Sequence, residues 1–117
     1  MRITSLAFSI AACGVIALSA AFAQKQAPAK KLSFEKQVKS VLAAKCVSCH
    51  SGEHPADGVD FSQFKTDKDA APAGPLWRKA AREVEKNHMP PMGSKALTEK
   101  EKTTFLAWVK ESFPKTK

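Results

Sequence analysis

The chain has 117 residues, 44% of them hydrophobic, and a formal charge of +8 from 19 Lys and Arg against 11 Asp and Glu. This length holds one small domain that can bury only a modest share of its surface, which excludes a multidomain architecture within the sequence. The positive charge suits acidic partners, and nucleic acid is set aside because the lysines are spread along the chain with no aromatic interleaving and no reading motif.

Residues 1–23 read as a secretory signal peptide. Arg2 supplies the basic start, Leu6 to Ala17 the apolar stretch, and Ala21-Phe22-Ala23 a small-x-small cleavage site before Gln24. Removing 23 of the 117 residues leaves 94, and the loss of Arg2 leaves a charge of +7. The reading implies a periplasmic or otherwise exported protein with no stable membrane insertion after cleavage. An uncleaved anchor is the rival, but the apolar run is short for a span. Ile10-Ala11-Ala12-Cys13 has the look of a lipoprotein box, yet the apolar run continues past it to the cleavage site, so Cys13 is read as an ordinary small apolar residue.

Residues 24–32 are polar, contain Pro28 and keep no period, as a flexible lead-in would. The domain proper is expected over 33–117. Ser33 stands as the N-cap of a helix running to about Lys45, with Phe34, Val38, Val41 and Leu42 at helical spacing and Glu35 in the first turn. From Ser51 to Pro75 the sequence is rich in Gly, Pro, Asp and Ser. A structureless loop of that length is uncommon, so the spacing predicts either a short helical turn near Asp60 to Phe64 or a segment wrapped round a cofactor.

Leu76 to Asn87 places Trp77, Ala80, Ala81 and Val84 on one helical face after Pro75. The run His88-Met89-Pro90-Pro91-Met92-Gly93 ends that helix. Thr98-Glu99-Lys100-Glu101 forms a capping box opening a last helix, in which Phe105, Leu106, Val109 and Phe113 make a stripe with Trp108 beside it. No alternating runs occur, so the fold class is all-α.

Chemistry is concentrated in Cys46-Val47-Ser48-Cys49-His50, which matches the C-x-x-C-H pattern for covalent c-type haem attachment. Thiols at this spacing reach the two vinyl groups of one haem, and the next imidazole lies beneath the iron as its proximal ligand. A thioredoxin-like pair would call for a βαβ setting, and a zinc site would need a fourth ligand recruited from His54 or His88. A haem also suits so small a chain, because its apolar area supplements a limited core.

Met89 is the preferred sixth ligand. Its thioether is a soft donor for haem iron, and Pro90 and Pro91 stiffen the segment behind it. Met92, His88 and His54 remain alternatives at this stage, although His54 lies only about 14 Å of extended chain beyond His50. Trp77 is able to pack on the haem or donate its indole N–H towards it, and Lys45, Lys86 and Lys95 flank the motifs as candidates to ring an exposed edge.

The helix Phe34 to Ala44 entering Cys46-x-x-Cys49-His50 is followed by Gly58-Val59-Asp60-Phe61, Leu76-Trp77-Arg78-Lys79, Met89-Pro90-Pro91, and Leu97-Thr98-x-x-Glu101 leading to Trp108. Together they resemble a class I-type c cytochrome, specifically the small cytochrome c domain family first described from planctomycete proteins. The resemblance implies a cytochrome c-like fold of three to four short helices around one covalent haem c, with crossing first and last helices. It also implies Met89 as distal ligand.

The expected function is single-electron transfer with acidic redox partner proteins, through iron held by His50 and Met89, rather than enzymatic turnover. The alternative is a haem-based sensor or small-ligand-binding module whose sixth ligand is displaceable. A peroxidase-like enzyme has no distal acid or base to name.

Overall fold

A computed structural model of the chain describes residues 30–115. The signal peptide read over 1–23, Cys13 within it, and most of the lead-in over 24–32 lie outside the described residues. Within them the fold is helical and contains no strand. No helix among the described residues is long and apolar enough to cross a membrane.

The first helix opens with a π-helical turn, Phe34–Val38, and continues as α1, Lys39–Lys45. Its four apolar positions, Phe34, Val38, Val41 and Leu42, are all buried. Ser33 occupies the N-cap position with extended backbone, but its hydroxyl does not cap the helix. Instead Asp67 reaches across from another element: Asp67 Oδ1 accepts from the Phe34 backbone N–H at 2.7 Å and Oδ2 from the Ser33 hydroxyl at 2.6 Å. A carboxylate brought by the fold replaces the local cap, and only tertiary structure shows it.

The Gly- and Pro-rich stretch after the cysteine motif is ordered by local hydrogen bonds. Residues Ala56–Gly58 form a tight turn in which Asp57 and Gly58 take φ of 53° and 67°, the succession of positive values that a type I′ turn requires. Asp60 Oδ1 accepts from the Ser62 backbone N–H at 2.8 Å, an Asx-turn, and Phe64 N–H returns to Phe61 C=O at 3.3 Å.

A short helix, α2, Asp67–Ala70, follows, and a 3₁₀ turn, Ala71–Ala73, joins it to α3, Gly74–Glu85. Helix α2 departs from the expected loop. Thr66 and Asp69 form a reciprocal capping box, with Thr66 Oγ1 accepting from Asp69 N–H at 3.1 Å and Asp69 Oδ2 from Thr66 N–H at 2.9 Å.

Helix α3 starts before Leu76 and takes Pro75 into its first turn, where the missing N–H has no partner to lose. It ends one turn before the prolines. Asn87 adopts φ 59°, its N–H bonds Val84 C=O at 3.1 Å, and His88 N–H bonds Glu83 C=O at 2.9 Å, the two bonds of a Schellman motif. The helix is therefore stopped by Asn87, and the prolines shape the chain beyond it. The final helix, α4, Glu99–Ser112, opens with the expected capping box, Thr98 N–H to Glu101 Oε2 at 2.7 Å and Glu101 N–H to Thr98 Oγ1 at 3.2 Å.

These helices enclose an aromatic core centred on Trp77. The Trp77 ring lies 5.9 Å from Phe34, 5.4 Å from Phe61, 4.7 Å from Phe64 and 5.1 Å from Trp108 between centroids. Its indole N–H donates to Ala70 C=O at 3.0 Å, so the group is already satisfied inside the protein and is not free for a cofactor. Phe34 also meets Trp108 at 5.6 Å, which packs the start of the first helix onto α4. Trp108 stands at the centre of the α4 face rather than beside it: Phe105, Trp108 and Val109 are buried, while Leu106 is half-buried.

Candidate functional site

The cysteine motif leaves the end of α1 in a tight coil. Cys46 and Val47 N–H both bond Leu42 C=O, at 2.9 and 3.0 Å, and His50 N–H bonds Cys46 C=O at 3.0 Å. Ser51 closes the turn through its hydroxyl, which donates to Val47 C=O at 2.6 Å. This winding places Cys46, Cys49 and His50 along the wall of one cavity of about 520 Å³, within the roughly 300–1,000 Å³ usual for cofactor sites.

The rest of the lining is mostly apolar and comes from every major helix. Leu42 belongs to α1, Ala80 and Val84 to α3, and Phe105 to α4, while Met89 and Pro90 come from the α3–α4 connection. The Met89–Pro90 peptide is cis. Because Met89 N–H shares Glu83 C=O with His88 N–H, at 3.2 Å, the Schellman turn that ends α3 is also what fixes the Met89 backbone. The other candidates for the sixth position lie outside the cavity. Met92 is fully exposed, His54 is exposed, and His88 faces solvent with Nδ1 3.0 Å from Glu83 Oε2.

His50 is held from behind. Its Nδ1 lies 3.1 Å from Ala56 C=O, the carbonyl of the positive-φ turn. With the proton on Nδ1 the ring donates to that carbonyl and keeps the Nε2 lone pair for a metal. The ring also meets Phe61 edge-on at 5.3 Å, and Phe61 stacks on Trp77. The imidazole is thus braced by the aromatic core, and Phe61 N–H returns to His50 C=O at 2.8 Å.

Burial pushes the Cys46 thiol up to about 11. A dithiol redox site needs a stabilised thiolate, so this environment and the absence of strands among the described residues both run against a thioredoxin-like pair. Direct metal binding fares no better. Among the described residues no three His, Cys, Asp or Glu side chains converge on a metal-sized site. The donor set instead fits a haem: two thiols and an imidazole on one short segment, a thioether from another, and a largely apolar chamber between them.

Sequence reading missed several contributors. The Ala56 carbonyl, Phe61 and Phe105 complete the chamber, and among the lysines it is Lys79, with Lys45 and Lys95, that lines it, while Lys86 does not. Lys45 is not a free surface charge, since its Nζ donates to Ala96 C=O at 2.7 Å and lies 3.5 Å from Glu101 Oε2. The Asp57-Gly58 dipeptide was the available signal for the turn behind His50. Comparison with protein-family models, with curated proteins and with solved structures gave no match.

Proposed function

We propose that this chain is an exported monohaem c-type cytochrome that passes single electrons between redox partners, of the small class I type that its motifs resemble. The observation that carries the reading is the shared cavity: Cys46, Cys49, His50 and Met89 line it, whereas Met92, His54 and His88 lie outside. In this reading Cys46 and Cys49 would hold one haem c by thioethers, and His50 Nε2 and Met89 Sδ would be the ligands to its iron. The cytochrome c-like fold is part of the proposal, supported by the packing of Phe34 on Trp108 between the first and last helices.

One-electron chemistry would come from the haem iron, whose potential Met/His ligation raises. The protein keeps both ligands in place through the redox cycle. Ala56 C=O orients His50, the turn at Asn87 positions Met89, and the apolar walls limit water around the site. Lys79 and Lys95 at the cavity give acidic redox partners a docking surface near the cofactor. On the same reading, residues 1–23 would act as a signal peptide and carry the protein to the periplasm or an equivalent exported compartment.

The test is co-expression with a haem-attachment system, followed by intact mass and visible spectra of the wild type and of Met89→Ala. Expected are the mass of a chain cleaved before Gln24 plus one haem, and a Met-to-Fe(III) charge-transfer band that Met89→Ala abolishes. A high-spin ferric wild type that binds CO readily when reduced would instead favour the sensor reading. Absence of covalent haem would remove both.

A further inference from the structure

Among the lysines that line the cavity, Lys45 has a fixed position. It directly precedes Cys46 at the end of α1, and its side chain is only 14% exposed. Its ammonium donates to Ala96 C=O at 2.7 Å and stands 3.5 Å from Glu101 Oε2, the same oxygen that accepts from Thr98 N–H in the capping box of α4. Ala96 belongs to the α3–α4 connection that carries Met89. Lys45 therefore links the haem-attachment helix, the Met89 segment and the start of α4 at one point.

The middle of that connection has few other ties. Its first residues are fixed by the Schellman turn and its end by the capping box. Between them, Ser94 bonds only within the segment, to Pro91 C=O. Among the described residues, the Lys45–Ala96 bond is the only hydrogen bond from residues 90–97 to the rest of the chain. The remaining hold is apolar, through Met89 and Leu97 against the core. A hydrogen bond from a charged donor is stronger than a neutral one, and a segment with so few ties opens locally at low cost when its main tie is cut.

We propose that Lys45 is a positioning residue for the sixth ligand: by tying Ala96 to the helix that carries Cys46, it keeps the Met89 segment closed over the iron. The inference rests on Met89 being the distal ligand. An external ligand such as CO binds the reduced protein only in the fraction of molecules whose Met89 has left the iron, so its apparent affinity scales with that fraction. Cutting the tie raises the open fraction and with it CO uptake.

The experiment compares CO binding to the reduced holoprotein and the ferric charge-transfer band in wild type, Lys45→Leu, Glu101→Gln and Lys110→Leu. Lys45→Leu keeps an apolar stem and removes the donor, and Lys110→Leu removes one exposed positive charge from α4 as a control. The expected result is an apparent CO affinity about tenfold higher in Lys45→Leu, with a weakened charge-transfer band, and no change in Lys110→Leu. Glu101→Gln keeps an oxygen for Thr98 but removes the carboxylate charge beside Lys45, and should fall between wild type and Lys45→Leu.

CO affinity of Lys45→Leu within twofold of wild type, or an equal rise in Lys110→Leu, would overturn the assignment. If Lys45→Leu yields no folded haem protein, Lys45→Met, which keeps a long apolar stem and likewise removes the donor, decides in its place: a raised affinity supports the tie and an unchanged one rejects it. A wild type with covalent haem but no Met charge-transfer band would sink the Met89 reading itself, and this inference with it. A normal band with unaltered variants would sink only the role of Lys45.

Discussion

His50 Nδ1 and the Ala56 carbonyl oxygen lie 3.1 Å apart, and the turn that presents this oxygen depends on positive φ at Asp57 and Gly58. No atom lies within 4 Å of where a Gly58 side chain would begin, so a substitution there acts through the backbone alone. Holding a non-glycine residue in this region costs roughly 1–2 kcal/mol. Gly58→Val should therefore lower stability by about that amount and loosen the bond behind His50. If His50 ligates a haem iron as proposed, a weaker bond at Nδ1 makes the imidazole a poorer donor, which favours Fe(II) and raises the reduction potential. Since a tenfold change in a one-electron equilibrium is about 59 mV, a rise of up to roughly that size is expected by redox titration. A potential that stays at the wild-type value in a measurably destabilised variant would detach the Ala56 carbonyl from the redox site.

Met89 and Met92 stand three positions apart on the same connection but in different environments. Met89 lines the cavity and packs against the core, while Met92 is fully exposed. Met92→Ala should leave the ferric charge-transfer band intact and change stability by no more than about 0.5 kcal/mol, as for other exposed positions. His88→Ala should likewise keep the band, because that imidazole pairs with Glu83 outside the cavity. Loss of the band in either variant, with the band retained in Met89→Ala, would reassign the sixth ligand.

Trp77 is the centre of the core, and its N–H is used by Ala70 C=O. Trp77→Phe keeps a ring but removes the buried indole N–H bond to Ala70 C=O, a cost of roughly 0.5–1.5 kcal/mol before the lost ring volume is added. Urea unfolding should show a lower midpoint with an unchanged slope. The haem spectrum should not move, since the indole does not line the cavity. A spectral shift without destabilisation would restore the expectation that Trp77 addresses the cofactor.

What was legible in the sequence was what local rules govern. The Phe34, Val38, Val41, Leu42 spacing gave the first helix, Thr98 and Glu101 gave the start of α4, and the Cys46 to His50 motif pointed to the segment that lines the cavity. Less legible was what depends on chain distant in sequence. Asp67 caps a helix 33 residues away, and Lys45 reaches Ala96 across 51; neither pairing leaves a periodic trace. Helix α2 was a different kind of miss. Its Thr66–Asp69 capping box was present, but a four-residue helix is too short for hydrophobic periodicity and sits among loop-forming residues.

The Asp67 cap ties the start of the first helix to α2 and so makes stability depend on pH with a definite sign. The Ser33 hydroxyl, followed by backbone N–H groups of the first helix, holds its carboxyl below the ordinary value of 3.8. A carboxyl depressed in the folded state adds stability above its unfolded value and loses it as pH falls through the folded value. Asp67→Ala should cost about 1 kcal/mol near neutral pH, in the range of a lost helix cap and reduced by solvent exposure. The deficit relative to wild type should shrink as pH falls from about 3.8 through the lower folded value, where the wild-type carboxyl takes up its proton and stops serving as an anionic cap. Urea midpoints for both proteins at neutral and acidic pH measure the difference directly, and a gap that stays constant across that range would assign the Asp67 contribution to packing rather than charge.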